Sequence, residues 1–314
     1  MKKANIVVIG GGTGLSVLLK GLKTFPVDIT AIVTVADDGG SSGRLRKELR
    51  IPPPGDVRNV LVALAEVEPL VEELFQHRFE NGNGLSGHSL GNLLLAGMTS
   101  ITGDFARGVQ EISRVLNVKG KVLPAANEEI ILHAELEDGT FVEGESNIPL
   151  AGKKVKRVFL EPNNPEPLQE TLIALEKADL IVLGPGSLYT SIIPNLLVPG
   201  IADVIMKSTA TKVYICNVMT QPGETDEFKA SDHVQAIYEH IGENIIHSIL
   251  VNGQNIPFSY AQRYAGQGAK QVEVDYDGLQ KLGLDIISDD LLYFDNYLLR
   301  HDAIKLSQRL LSML

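Results

Sequence analysis

Residues 6–16 read Ile-Val-Val-Ile-Gly-Gly-Gly-Thr-Gly-Leu-Ser, and no other stretch constrains the fold as strongly. Four β-branched residues run into glycines, after which Val17, Leu18, Leu19 and Leu22 recur at helical spacing. A buried strand, a tight turn and a helix N-terminus therefore follow in that order. Glycine lets the backbone approach a ligand closely, and the free N–H groups of a helix N-terminus attract an anion, usually phosphate. The dinucleotide spacing G-x-G-x-x-G is not met, because Leu15 stands where the third glycine belongs. A bare strand-to-helix turn needs fewer glycines, so Gly10, Gly11, Gly12, Thr13 and Gly14 are expected to form a phosphate loop.

The same grammar recurs. Asp28 to Val35 reads as a second buried strand that ends in Ala-Asp-Asp-Gly-Gly-Ser-Ser-Gly-Arg, residues 36–44. A right-handed crossover puts this loop beside the first, at the carboxyl edge of a parallel sheet. Asp37 and Asp38 fall where a ribose- or metal-binding carboxylate would sit, and Ser41, Ser42 and Arg44 converge on them. The plainer use of such residues is a turn that caps the next helix. Leu180 to Leu183 is another buried strand, followed by Gly-Pro-Gly-Ser-Leu-Tyr-Thr-Ser-Ile-Ile-Pro-Asn at 184–195. Gly186, Ser187, Tyr189, Thr190, Ser191 and Asn195 thus make a second candidate phosphate loop, in which hydroxyls donate beside backbone amides. Ordinary capping turns are again the alternative. No G-x-x-x-x-G-K-[ST] occurs, so neither loop is that of a P-loop NTPase.

Between these loops, Pro52 to Pro54 stiffen a turn, and Asp56 is expected to cap the helix carrying Val60, Leu61 and Leu64. Arg58 and Asn59 share its first turn, where a basic residue opposes the helix dipole and points to a bound anion. Glu66 to Phe79 reads as helical continuation, and Asp104 to Leu116 as an amphipathic helix. In Gly-His-Ser-Leu-Gly-Asn, His88 and Asn92 are four apart, expected on one helical face as ligand contacts or as packed core groups. The G-x-S-x-G look of this segment is not a nucleophile elbow, since no strand precedes Ser89. From about 120 to 160 the texture turns antiparallel: Ile130–Leu136 and Thr140–Glu145 flank the hairpin signal Asp138-Gly139, and Lys156–Leu160 adds a strand. This insertion is expected to serve as a lid or an oligomer contact, with His133 on its surface.

Lys212–Val218 and Ile245–Val251 complete the run of buried strands, and Val272–Asp275 is expected as a late edge strand. Asn217 and Gln221 lie at a carboxyl end, suited to reading a base or a sugar. Tyr264 can cover a ring, and Arg300, next to His301, can supply a cation to a diphosphate; a core tyrosine and a solvated helix end are the alternatives. Together these elements predict one α/β domain over 1–314, a Rossmann-like three-layer α/β/α arrangement with a mostly parallel sheet and a small antiparallel insertion at about 120–160.

Charge and cysteine content narrow the partners. Lys and Arg number 28 against 39 Asp and Glu, a net charge of −11, which disfavours nucleic acid. Cys216 is the single cysteine, so neither an intrachain disulfide nor a cysteine-rich zinc site can form, and a reducing cytoplasm is expected. Its mid-strand position reads as an inert buried thiol. Glycines cut the first apolar run too short for a signal peptide, and no stretch approaches the roughly 18 apolar residues of a membrane span, so no membrane insertion is expected.

The motifs Ile-Gly-Gly-Gly-Thr-Gly, Ala-Asp-Asp-Gly-Gly-Ser-Ser-Gly-Arg-Leu-Arg, Pro-Gly-Asp-Val-Arg-Asn, Gly-His-Ser-Leu-Gly-Asn and Gly-Pro-Gly-Ser-Leu-Tyr-Thr-Ser-Ile-Ile-Pro-Asn occur in order along the chain. The chain resembles the YvcK-type gluconeogenesis factors, which share a superfamily with the CofD phospholactate transferases. The resemblance implies a Rossmann-like three-layer domain that forms homodimers in the cytoplasm. It implies binding of a uridine-diphosphate sugar such as UDP-N-acetylglucosamine, with NAD-like dinucleotides as alternative occupants. It also implies a role in cell shape and in growth on gluconeogenic carbon sources, exerted on protein partners in cell-wall precursor synthesis.

Carried onto this chain, the phosphate-facing group is Gly11, Gly12, Thr13 and Gly14 with Gly186, Ser187 and Thr190. Asp37 and Asp38 are shared with the transferases, where they lie at the reacting end and would hold magnesium. The chain departs from the transferases at Pro54–Asn59 and in its second loop, the acceptor and phosphate regions. No nucleophile–base pair beyond His88 can be assembled from the sequence. A binding regulator without a required cofactor is therefore the expected function. The alternative is a metal-dependent transferase moving a phospho-acyl group from a nucleotide diphosphate adduct to an acceptor. An NAD-dependent oxidoreductase would rest on fold analogy alone.

Overall fold

A computed structural model of the chain describes residues 3–242, 245–295 and 298–314. The chain opens with β1 (Asn5–Gly10), α1 (Gly12–Leu22), β2 (Asp28–Val33), α2 (Gly40–Leu49), α3 (Gly55–Leu64), α4 (Pro69–Gln76), α5 (Leu90–Thr102), α6 (Phe105–Val115) and β3 (Lys121–Pro124). The insertion contributes β4 (Ile131–Leu136), β5 (Phe141–Glu143) and β6 (Val155–Glu161). Then come α7 (Gln169–Glu176), β7 (Leu180–Leu183), α8 (Ile193–Leu196), α9 (Ile201–Lys207), β8 (Thr211–Ile215), α10 (Ala230–Ile241) and β9 (Ser248–Asn252). The chain closes with α11 (Phe258–Ala265), α12 (Tyr276–Lys281), β10 (Asp285–Asp289), the hairpin β11 (Leu292–Asp295) and β12 (Leu298–His301), and α13 (Ala303–Leu311).

Seven of these strands form one sheet in the order β10-β9-β8-β7-β1-β2-β3, with every neighbouring pair parallel. Residues 6–9 and 180–183 are buried throughout because helices cover both faces, which is why these strands read as unbroken apolar runs rather than alternating ones. α1 presents Leu15, Leu18, Leu19 and Leu22 to the core at helical spacing, and Gly21 lets it pack closely on Ala303 and Ser307 of α13. The architecture is the Rossmann-like α/β arrangement anticipated from the sequence.

The strand order reverses at β1. Its Ile9 pairs with Ile32 of β2 on one side and with Leu183 of β7 on the other. The two glycine loops leave the carboxyl ends of β1 and β7, so they flank the switch point, where open α/β sheets bind their ligands.

Several local expectations change. The antiparallel unit is a three-stranded sheet, β5-β4-β6, and begins only at Ile131, because Lys121–Pro124 joins the parallel sheet as its edge strand. Val272–Asp275 is not a strand. Its backbone is spent tying loops together, Val272 N–H donating to Val218 and Glu273 C=O accepting from Ala230; β10 is the edge strand instead. The helix after Arg58 stops at Leu64, and a separate one starts at Pro69. His133, expected as a plain surface residue, pairs with Glu161 at 2.8 Å and stacks on Phe159.

Candidate functional site

A cleft of about 690 Å³ opens over the switch point. Gly11 to Gly14 form one wall and Gly186, Ser187 and Ser191 the opposite one. The loop after β8 supplies Asn217 to Pro222 and Glu224, the insertion supplies Pro149, and Tyr264, Leu299, Arg300 and His301 close the rim.

The first loop works because three of its positions lack a Cβ. Gly11 is extended, Gly12 adopts φ +67°, and no side chain from the loop itself caps α1. The first-turn N–H groups of α1 are thus left for partners from elsewhere. A Cβ on Gly14 would stand 3.0 Å from the Pro185 carbonyl oxygen, and one on Gly186 would stand 3.4 Å from the Gly11 carbonyl oxygen. The two glycine loops therefore touch and form one continuous trough.

The second loop is held from behind. Asn195, fully buried, donates through Nδ2 to Gly10 O at 3.1 Å and to Ser191 O at 2.6 Å, which locks the loop to the end of β1. Tyr189 is buried edge-on against Phe228 and His240. Thr190 turns its hydroxyl to Glu224 at 3.4 Å. These three residues build the wall from inside and do not line the cleft. On the floor, Asn217 Nδ2 donates to Gly186 O at 2.9 Å, and Gln221 Nε2 donates to Ser187 Oγ at 2.6 Å. Ser187 thus receives one hydrogen bond and keeps its own proton to donate into the trough. At the rim, Tyr264 OH accepts from Leu299 N–H at 3.0 Å, steadying the strand that carries the exposed Arg300.

Another group from the sequence reading sits together but away from the cleft lining. Ser41 Oγ is 3.0 Å from His88 Nδ1 and accepts from Asn92 Nδ2 at 3.2 Å; the same amide reaches Ser42 Oγ at 3.4 Å. All four residues are buried, and the knot fastens α2 to the start of α5. His88 is not on the helical face with Asn92, because Ser89 is the N-cap of α5 and His88 precedes it. Burial, and next Arg44, lower the His88 pKa. Arg44 donates to Ser86 O at 2.7 Å, while Arg58 donates to Asn59 Oδ1 at 2.7 Å and lies across Gly91.

Carboxylates gather where the loops meet. Asp56 does not cap its own helix: α3 begins at Gly55 after Pro54, without a side-chain cap. Its carboxylate instead accepts from the Gly12 N–H and lies over Gly11. Burial, then Asp37, push Asp56 up to about 7, against the Gly12 N–H and Arg58, which lower it. Glu224, buried, accepts from the Tyr189 N–H and Thr190, and its burial outweighs them, raising it to about 7. Glu145 follows β5 in the turn whose Ser146 N–H donates to Asp38 Oδ1 at 2.8 Å. Burial and the facing Asp37, Asp56, Asp38 and Glu224 drive it to about 9. Asp37 Oδ1 is engaged by the Gly39 N–H at 2.9 Å. Among the described residues, no group of three or more His, Cys, Asp or Glu side chains is arranged to hold a metal ion.

Sequence reasoning missed Glu224 and Glu145. Glu224 had a usable signal, since it follows Asn217 and Gln221 in a loop at the same carboxyl rim. Glu145 had none, because only the folding-back of the insertion brings it to Asp38.

The comparisons with known proteins agree on the family. A family model described as 2-phospho-L-lactate transferase CofD matches residues 6–292. The chain belongs to the CofD family. Within it, the similar proteins are gluconeogenesis factors. The protein of that name from Halalkalibacterium halodurans is 69% identical over 311 residues, covering 99% of this chain and 97% of the relative. That of Bacillus subtilis is 59% identical over 313 residues, covering 100% and 99%. A crystal structure of a Bacillus halodurans protein superposes with a TM-score of 0.98 at 69% identity, covering 99% of this chain and all (100%) of that one. Among the described residues of this CofD-family member, no single helix is long and apolar enough to cross a membrane.

Proposed function

We propose that this gluconeogenesis-factor relative is a cytoplasmic regulator that binds a nucleotide diphosphate sugar of the UDP-N-acetylglucosamine type and reports it to protein partners. The observation that carries this reading is the trough at the switch point, where two glycine loops face each other beneath the rim guanidinium of Arg300. Backbone N–H groups at Gly12 to Gly14, the Thr13 hydroxyl and the Ser187 hydroxyl suit the two phosphates, and Arg300 adds a cation. Asn217 and Gln221 suit the polar edges of a base or a sugar, and Tyr264 a ring face. The cleft volume of about 690 Å³ suits a ligand larger than a mononucleotide. An NAD-like dinucleotide shares the central diphosphate and is the competing occupant. The family resemblance supplies the wider role, in cell shape and growth on gluconeogenic carbon through control of cell-wall precursor synthesis, and the homodimer.

Calorimetric titration of the chain with UDP-N-acetylglucosamine, UDP-glucose and NAD tests the reading. Saturable heat with a UDP-sugar is expected, and the absence of heat with every UDP-sugar would sink it. The transferase reading is less well supported, since His88, the candidate base of the sequence reading, is held in a buried knot with Ser41 away from the cleft lining.

A further inference from the structure

The outer face of α5 is unlike the rest of the surface. Charged residues make up 21% of the sequence, yet none of the 13 residues of α5 is charged. The helix packs inwards through Leu95, Ala96 and Thr99. On its other side Leu94 is 37% and Ile101 79% exposed, with Met98 half-buried between them, a spacing that sets all three on one face. The adjoining helix α4 ends against the first turn of α5, where the Leu90 N–H donates to His77 O at 2.8 Å. It adds Leu70 and Leu74, four apart and 73% and 47% exposed. Single exposed leucines need no explanation, but a charge-free apolar stripe marks a contact surface.

Gly97 is a second, independent observation. It is exposed in mid-helix, between Leu94 and Ile101, with no positive φ, and a Cβ there would meet nothing within 4 Å. Gly91, on the inner side of the same helix, is different: its Cβ would stand 2.5 Å from the Phe75 carbonyl oxygen, so packing demands a glycine. At Gly97 neither backbone conformation nor contact within the described residues demands one, although glycine costs about 1 kcal/mol of helix stability against alanine. On an exposed face, a glycine lets another backbone come close.

We propose that this face of α5, widened by Leu70 and Leu74 of α4, docks a second copy of the chain, the two α5 helices crossing about a two-fold axis near Gly97. The homodimer of the family resemblance thereby gains a contact surface, whichever ligand the trough takes. Charge favours a second copy as the occupant. Each copy carries −11, so two copies repel wherever charged faces meet, and least across a face that has no charge. A two-fold contact sets one patch against itself, apolar stripe on apolar stripe and glycine on glycine. A basic partner would call for carboxylates, and a membrane surface for lysine or arginine beside the stripe; α5 has neither. The eight residues of α4 and 13 of α5 span about 12 Å and 20 Å, which with their rim approaches the roughly 800 Å² per partner of a standard interface.

Sedimentation velocity of the full chain across the micromolar range is expected to show a dimer. Ile101→Asp places a charge on the face, and Gly97→Leu blocks the close approach while improving the helix. Each is expected to raise the dimer dissociation constant at least roughly tenfold with an unchanged circular dichroism spectrum. Gly97→Cys gives a position-specific readout, because the one native cysteine, Cys216, is buried. Helices crossing at residue 97 bring the two Cα atoms within the roughly 4.4–6.8 Å that a disulfide spans, so oxidised glutathione is expected to yield a covalent dimer. Phe141→Cys, at an exposed position on the insertion, is the control and is expected to stay monomeric on a denaturing gel. A monomeric wild type, a dimer that Ile101→Asp and Gly97→Leu leave intact, or cross-linking no better at residue 97 than at residue 141 would overturn the proposal. So would flotation of a monomeric wild type with phosphatidylglycerol vesicles that Ile101→Asp abolishes, since the face would then serve a lipid. None of these readouts involves the trough, so the interface and the nucleotide-sugar reading stand or fall separately.

Discussion

Gly11 is the position at which the packing of the trough can be tested most cleanly. Its φ is −167°, extended backbone open to any residue, so a methyl group there acts through contact and not through strain. That methyl would overlap the Asp56 carboxylate and stand 2.8 Å from Thr34 Cγ2 and 3.3 Å from Ser191 Cβ. Carbon atoms pack without repulsion at about 3.5–4.0 Å, so three separate segments must give way. Overfilling of this kind costs about 1–3 kcal/mol. Part of the cost arises at Asp56, so Gly11→Ala should be less damaging in an Asp56→Ala background, with a coupling of about 0.5–2 kcal/mol. Gly12→Ala is the matched control. Its methyl meets nothing within 4 Å, but φ there is +67°. It should cost about 1–2 kcal/mol from backbone strain alone and show no coupling to Asp56. Urea unfolding of the ligand-free proteins, followed by circular dichroism, measures all of these. A Gly11→Ala protein as stable as wild type, or one whose loss is unaffected by Asp56→Ala, would refute this account of the loop.

Other outcomes follow from the same geometry. Ser41→Ala strands the buried amide of Asn92 and the ring of His88, and should cost about 1–3 kcal/mol in urea unfolding while leaving UDP-sugar affinity unchanged; a selective loss of affinity would instead make the knot part of the site. Arg300→Ala, at an exposed rim position, should leave stability alone and weaken UDP-N-acetylglucosamine by about 1–3 kcal/mol in calorimetry. Equal affinity would remove Arg300 from the diphosphate. The pH dependence has a definite sign. Asp56 rises from its ordinary value of 3.8 to about 7 in the folded chain, so the native state binds the proton more tightly than the unfolded one. Its stabilising contribution is complete below the unfolded value and is lost as pH climbs through about 7. Unfolding free energy should fall over that window, and the slope should flatten in Asp56→Asn. A wild-type profile that is flat or rises there, with Asp56→Asn unchanged, would contradict the assignment.

The sheet was legible in the sequence because parallel strands buried on both faces leave unbroken apolar runs such as Ile6–Ile9 and Leu180–Leu183, each ending in glycine. Loop position followed from strand position, so the trough residues Gly11 to Gly14, Gly186 and Ser187 could be named in advance. Pairing between side chains was not legible. The sequence points Thr190 at a phosphate and Asp56 at its own helix, yet their partners, Glu224 and the Gly12 N–H, come from distant segments. His88 and Asn92 illustrate the same limit: spacing suggested one helical face, while Ser89 begins the helix between them and Ser41 gathers both from another element. Asn195 looked like a ligand group because it is polar in a glycine loop, but its amide holds β1 and the second loop together. Polar residues in such loops serve the ligand or the backbone, and only the fold decides which.

The central claim is that the two glycine loops together cradle one diphosphate. Co-crystallisation with UDP-N-acetylglucosamine tests it directly. The account predicts diphosphate density lying between Gly11–Gly14 and Gly186–Ser187, with the Arg300 guanidinium turned towards it. Density for the diphosphate beside Asp37 and Asp38, clear of both loops, would contradict it.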